Sequence, residues 1–252
     1  MIVNADDLGI ERGCNDVMFD LMASGKLTSA TILANCPGTE DALERARQYP
    51  NCSFGVHLNA SAFRPLTGDP DLQPLLDHQG RLSGTKALRN LGRRVRQALY
   101  REFCAQIERV RASGLSISHV DSHHHVHNLP CIFPILKAVQ RRYGIRRVRI
   151  GKNLYGPGDG VSLAARLRKA AYNWALRNFY RTETTDGFTD LSTFCRMENS
   201  TRGLRTVELM VHPGPKTARY VKELELLTSD WEKRVPYAVR KINYHELSHV
   251  SL

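Results

Sequence analysis

Short runs rich in Val, Ile and Leu, each bounded by turn residues, recur along the chain at residues 2–5, 30–35, 53–58, 116–120, 147–150 and 207–211. Their length and branched apolar content predict strands. Between several of them the apolar positions fall at helical spacing. Helices are predicted over residues 12–24, over 39–48 with Thr39 as N-cap, and over 131–143 with a stop at Gly144. Strand and helix alternating over most of the chain predict a parallel α/β sheet or barrel. With 252 residues the chain can bury a sizeable core, and no internal repeat or boundary divides it, so one domain over 1–252 is expected.

Two longer patterns are amphipathic and basic. Residues 86–112 set Leu88, Leu91, Val95, Leu99, Phe103, Ile107 and Val110 on one face beside Lys86, Arg89, Arg93, Arg94, Arg96, Arg101, Arg109 and Arg111. Residues 162–181 set Leu163, Leu167, Ala170, Tyr172, Trp174 and Leu176 beside Arg166, Arg168, Lys169, Arg177 and Arg181. The favoured reading is a pair of solvated helices, with an anionic binding surface as the lesser alternative. Pro and Gly punctuate residues 61–85 and 151–160, which predicts two long loops, one of them an insertion, of the kind that often face substrate.

Composition is that of a globular protein, 42% hydrophobic and 24% charged, which excludes disorder and membrane-spanning classes. No apolar run is long enough to cross a bilayer, and the opening Met-Ile-Val-Asn-Ala-Asp-Asp lacks the features of a secretory signal. A cytoplasmic protein is therefore expected. Six cysteines without a C-x-x-C pair imply neither a disulfide framework nor a thiolate zinc site. The net charge of +11 resides largely in the two basic helices. No nucleic-acid-binding motif accompanies it and the aromatics lie away from the basic runs, so no nucleic-acid partner is expected. A homodimer is compatible with the sequence.

Chemistry concentrates elsewhere. Residues 119–127 read His-Val-Asp-Ser-His-His-His-Val-His, five of the ten histidines in nine positions. Neutral imidazoles are the usual donors to divalent transition metals, and the interleaved Val120, Asp121 and Val126 distinguish this internal segment from a tag. Asp6 and Asp7 follow the first predicted strand. Adjacent carboxylates raise each other's proton affinity unless a cation compensates, which suits one metal ligand and one general base. His57 ends another predicted strand, and His212, before Pro213 and Gly214, closes a third. Strand ends on one face of an α/β fold are where catalytic groups converge. His123 is the first choice of ligand in the cluster, with Asp121 as a carboxylate that orients an imidazole. His127 could touch substrate or share the acid/base role with Asp121, and His124 and His125 could be structural. The sum is one carboxylate and two imidazoles around a metal, a second carboxylate as base and a histidine as acid, which implies hydrolysis.

With Asn4-Ala5-Asp6-Asp7-Leu8-Gly9, Gly55-Val56-His57-Leu58, the His-rich segment and Val211-His212-Pro213-Gly214 in this order, the chain resembles the YdjC-like carbohydrate deacetylases, which include chito-oligosaccharide deacetylases. The resemblance implies a deformed (β/α) barrel of the NodB-like polysaccharide deacetylase type. It also implies removal of the N-acetyl group from an N-acetylglucosamine-containing sugar. By motif, Asp7, His57 and His123 would hold one divalent metal ion, magnesium or zinc, with Asp6 as base and His212 as acid. Hopanoid deacetylases of the HpnK type are similar too and would act on an acetylated glycolipid; the Ser-His-His-His run looks more like the chito-oligosaccharide branch. Asn59, where an apolar residue is common, and a short insertion loop depart from the pattern.

Overall fold

The computed structural model describes residues 1–197, 201 and 203–250. Six strands build one sheet: β1 Ile2–Leu8, β2 Ser29–Ile32, β3 Ser53–Leu58, β4 Ile117–Ser122, β5 Gly187–Asp190 and β6 Val207–Val211. Their order is β4-β3-β2-β1-β6-β5 and every pair is parallel. Helices α1 Arg12–Ala23, α2 Thr39–Ala46, α3 Arg93–Ala112, α4 Phe133–Tyr143, α5 Leu163–Asn178 and α6 Leu191–Arg196 lie in the connections, and α7 Ala218–Thr228 follows β6. Every residue of β1, β2, β3 and β6 is buried, as expected of parallel strands covered on both faces. The strands form a half-barrel. Residues 147 and 148 make only isolated bridges, Val148 to Val120 of β4 and Arg147 to Glu183, so the strand expected over 147–150 is a partial bridge at the open side of the sheet.

Other departures from the sequence reading have local causes. Gly38, not Thr39, is the residue before α2; the Thr39 hydroxyl turns back and donates to the carbonyls of Leu33 and Cys36 at 2.7 and 2.8 Å. The basic stretch 86–112 is broken, with a short 3-10 turn at Ala87–Arg89 and α3 starting after Gly92. α4 ends at Gly144, which adopts the left-handed conformation (φ 68°) that glycine tolerates best. β5 was not anticipated, because Gly187-Phe188-Thr189-Asp190 offers one large apolar residue.

Two register shifts matter for the site. Ala5 pairs with Ala30 and Leu8 with Ile32, so Asp6 and Asp7 together stand opposite Thr31. Such a bulge re-aims side chains that would otherwise point to opposite faces. Asp7 takes a positive φ of 65°, unusual for a residue other than glycine. A second shift lies between Phe54 and Val56 of β3 and their partners Ile117 and Val120 on β4. There the His119 ring passes over Gly55, where a Cβ would lie 2.6 Å from its Cε1. Any side chain at position 55 would collide with that ring.

Candidate metal and active site

The C-terminal ends of β1, β3 and β4 bring the predicted ligands together. Asp7 Oδ1 is 2.8 Å from His123 Nδ1 and 3.4 Å from His57 Nε2. These three atoms belong to a group that could hold a metal ion. The other carboxylate oxygen of Asp7 accepts the Tyr220 hydroxyl at 2.5 Å. The second nitrogen of His57, Nδ1, faces Asp121 Oδ1 at 2.7 Å, and the Thr31 hydroxyl donates to Asp121 Oδ2. Asp121 thus fixes the ring with Nε2 directed toward Asp7, the arrangement that commonly orients metal-binding imidazoles. Two imidazoles and a carboxylate suit a divalent transition metal as donor set. Burial opposes a charge on His57, but Asp121 and Asp6 outweigh it and raise its pKa to about 10. The pocket therefore favours a positive charge at the position His57 faces.

Asp6 has a different environment. Its carboxylate pairs with both terminal nitrogens of Arg149 at 2.6 and 2.7 Å and accepts Asn4 Nδ2 at 2.9 Å. Burial would raise its pKa, yet Arg149 and His57 hold it far below the usual carboxylate range. Arg149 is fully buried and also meets Asp121 at 2.5 Å and Glu208 at 2.7 Å, with its guanidinium 4.9 Å from the centre of the Phe188 ring. Tyr244 donates to the remaining oxygen of Glu208 at 2.5 Å and stacks on His119. A single cation thus holds three buried carboxylates, two of which contact or approach His57.

His212 lies directly after β6. Its Nε2 is 4.0 Å from Asp6 Oδ2, and His57 Nε2 is the same 4.0 Å from that oxygen. Glu223 on α7 receives the backbone N–H of His212 at 2.5 Å and faces Nδ1 at 3.2 Å, while Arg219 steadies its other oxygen at 2.8 Å. Burial lowers the proton affinity of His212, but Glu223 and Asp6 more than offset this and raise its pKa. Tyr220 stacks on the ring from the same helix. One face of α7 therefore supports both His212 and Asp7.

The remaining histidines separate sharply. His124 and His125 adopt positive φ values of 52° and 53°, which bend the chain immediately after His123. His124 pairs with Ser61 at 2.9 Å. His125 is half-buried with its ring edge-on to Phe188, and its pKa falls to about 3 through desolvation and the nearby Arg149. His127 is buried; its ring faces Ser122 at 2.6 Å, and its backbone carbonyl accepts from Tyr172. These contacts join β4 to α5 and do not place His127 with Asp6 or His212. Asp121, considered as a participant in acid/base chemistry, is instead enclosed by His57, Thr31 and Arg149. Asn59 pins a turn, accepting the N–H groups of Ser61 and Ala62 and donating to Asn35 and Ala62.

Both predicted loops are anchored. Glu102 of α3 accepts the N–H groups of Leu66 and Thr67, and Asn173 of α5 exchanges two hydrogen bonds with Gly151. Sequence reasoning did not single out Arg149, Glu208, Tyr220 or Glu223. A signal existed for two of them: a lone Arg in Val-Arg-Ile and a lone Glu in Val-Glu-Leu are charges inside apolar strand patterns, which require opposite partners once buried.

The model of the family described as YdjC-like protein matches residues 1–235. The chain belongs to the YdjC-like family. Among its relatives, a carbohydrate deacetylase of Brevibacillus brevis is 31% identical over 234 residues, covering 93% of this chain and 87% of that protein. One of Halalkalibacterium halodurans is 32% identical, covering 90% and 94%. A carbohydrate deacetylase of Geobacillus stearothermophilus is 39% identical, and that match spans 60% of either chain. In fold, this YdjC-like chain is similar to a solved structure from Enterococcus faecalis V583 described as a cellobiose-phosphate cleavage protein. The TM-score is 0.72 at 22% identity, covering 98% of this chain and 97% of that one.

Proposed function

We propose that this YdjC-like chain is a metal-dependent deacetylase that releases acetate from an N-acetylglucosamine-containing carbohydrate such as a chito-oligosaccharide. The observation that carries the reading is the separation of roles around His57. Asp7, His57 and His123 converge on one side, while Asp6 and His212 approach each other at 4.0 Å beside them. The names of the curated relatives support the substrate class.

In this reading Asp7, His57 and His123 would hold the metal ion, zinc or magnesium. A divalent ion in that set supplies acidity to water and polarisation to a carbonyl oxygen. Asp6, kept ionised by Arg149, takes the proton of the attacking water. His212, whose proton affinity Glu223 raises, gives a proton to the amine nitrogen as the C–N bond breaks. Acetate and a free amino sugar leave. We place the reaction in the cytoplasm, in keeping with the buried reduced thiols of Cys14, Cys36 and Cys104.

The test is acetate release from N,N'-diacetylchitobiose and longer chito-oligomers by chelated protein, with zinc, cobalt or magnesium added back. Metal-dependent release is expected. Metal binding without release from any of these sugars would overturn the substrate class and favour an acetylated glycolipid; absence of both would overturn the enzyme reading.

A further inference from the structure

The outer face of α5 presents apolar side chains to solvent. Leu163, Leu167 and Trp174 are 72%, 61% and 63% exposed, and Phe179, directly after the helix, is 50% exposed. At 3.6 residues per turn the three helical positions fall within about 40° of one another. Ala170 and Ala171, also exposed, lie between them, while Asn173 and Leu176 face the protein interior. Arg166 and Arg177 border the stripe on one side, and Arg168 stands about 100° beyond its other edge, on the flank that turns toward the protein. Residues 160–182 contain Arg166, Arg168, Lys169, Arg177 and Arg181 and no Asp or Glu.

We propose that α5 docks the protein on an anionic lipid surface, with Leu163, Leu167 and Trp174 entering the boundary between headgroups and acyl chains. A helix with a Trp/Leu face, a border of arginines and no acidic residue has the chemistry of an interfacial helix. Tryptophan favours that depth because its ring is apolar and its N–H polar. The arginines would meet phosphate oxygens and gain from the negative surface potential. A second copy of the chain is a poorer occupant: symmetric pairing through this stripe would set the basic borders against their own copies. A nucleic acid would use the arginines but leave the leucines without a partner.

The docked orientation has a consequence for the site. The inner face of α5, through Ala165, Arg168, Lys169 and Tyr172, lines a cavity of about 360 Å³ together with His125 and Phe188. The His-rich turn therefore sits across one helix, roughly 10 Å, from the lipid headgroups. Docking is independent of the deacetylase reading, because it is measured without turnover.

The chain reports on its own docking. It has two tryptophans, and Trp231 is fully buried, so a fluorescence change on docking comes from Trp174. The full chain is mixed with vesicles of phosphatidylcholine alone or with phosphatidylglycerol. Expected are sedimentation with the anionic vesicles, a blue shift of Trp174 emission, and binding at least roughly tenfold weaker to neutral vesicles. The exposed-site variants Leu167→Ser and Trp174→Ser should keep the melting temperature and lose sedimentation. Arg166→Gln with Arg168→Gln should weaken binding and flatten its salt dependence. The proposal is overturned by no sedimentation, by sedimentation without a blue shift, or by undiminished binding of the serine variants. It is equally overturned by a blue shift that follows protein concentration without vesicles, which would assign the face to a second copy. Stronger binding to RNA than to vesicles would overturn it as well.

Discussion

Glu223 holds His212 at two points, receiving its backbone N–H at 2.5 Å and facing its Nδ1 at 3.2 Å. The backbone bond fixes where the residue sits, and the ring contact fixes which nitrogen, Nε2, is turned toward Asp6. The carboxylate also raises the pKa of His212 against the opposing effect of burial. In the acid role proposed for His212 the ring must be protonated, so activity should persist below that pKa and decline as pH rises through it. Glu223→Gln should therefore move the alkaline limb of kcat/KM to lower pH while leaving the acid side of the profile in place. An unmoved limb in a folded variant would separate Glu223 from the acid function.

The ligand and base roles predict different losses. Asp7→Ala, His57→Ala and His123→Ala should lose metal and acetate release together. Asp6→Asn should retain the metal and lose about 10²- to 10⁴-fold in kcat, the usual contribution of a general base. Metal content by elemental analysis, paired with turnover, distinguishes the two. Retained activity in the His57 and His123 variants would remove them from the ligand set.

Metal uptake should release a proton. Asp121 and Asp6 raise the proton affinity of His57, so an ion held by His57 as proposed would displace its proton at neutral pH. The apparent Kd should then fall by up to roughly tenfold for each unit rise in pH through the neutral range. Calorimetry in buffers of different ionisation enthalpy reads the proton directly. A Kd that does not change between pH 6 and 8 would contradict the link.

Removing Arg149 should be costly. Arg149→Met would leave Asp6, Asp121 and Glu208 buried without their shared cation, with an expected loss of about 3–5 kcal/mol in unfolding free energy. Arg149→Lys should recover little, because an ammonium lacks the planar fork that reaches several carboxylates at once. Urea denaturation measures both. A Met variant as stable as the parent would mean that the carboxylates find other compensation.

The strands that carried the reading were legible for a physical reason. Ser53–Leu58 and Val207–Val211 are short apolar runs bounded by turn residues, and they stand at the bounds expected. β5 and the bridge near residues 147–148 were less readable, since their pairing depends on neighbours distant in the chain. Asp6, Asp7, His57, His123 and His212 attracted notice as chemistry at strand ends. Arg149, Tyr220 and Glu223 did not, because their importance arises only when β1 is brought against α7 and the segment after α4. Sequence also places His127 within four residues of His123, yet the left-handed residues His124 and His125 turn the two rings into different surroundings. Proximity along the chain was a poor guide there.

The bulge in β1 ties two properties that enzymes often vary separately. Asp6 and Asp7 share one peptide link, and both stand opposite Thr31. With Asp7 as ligand and Asp6 as base, as proposed, any movement of that link to suit a cation of another radius would also carry the proton acceptor with it. Exchange of the preferred ion would then be felt as a change in proton-transfer distance, and adaptation to a new metal would need compensating movement in β3 or β4, where the partner imidazoles are mounted.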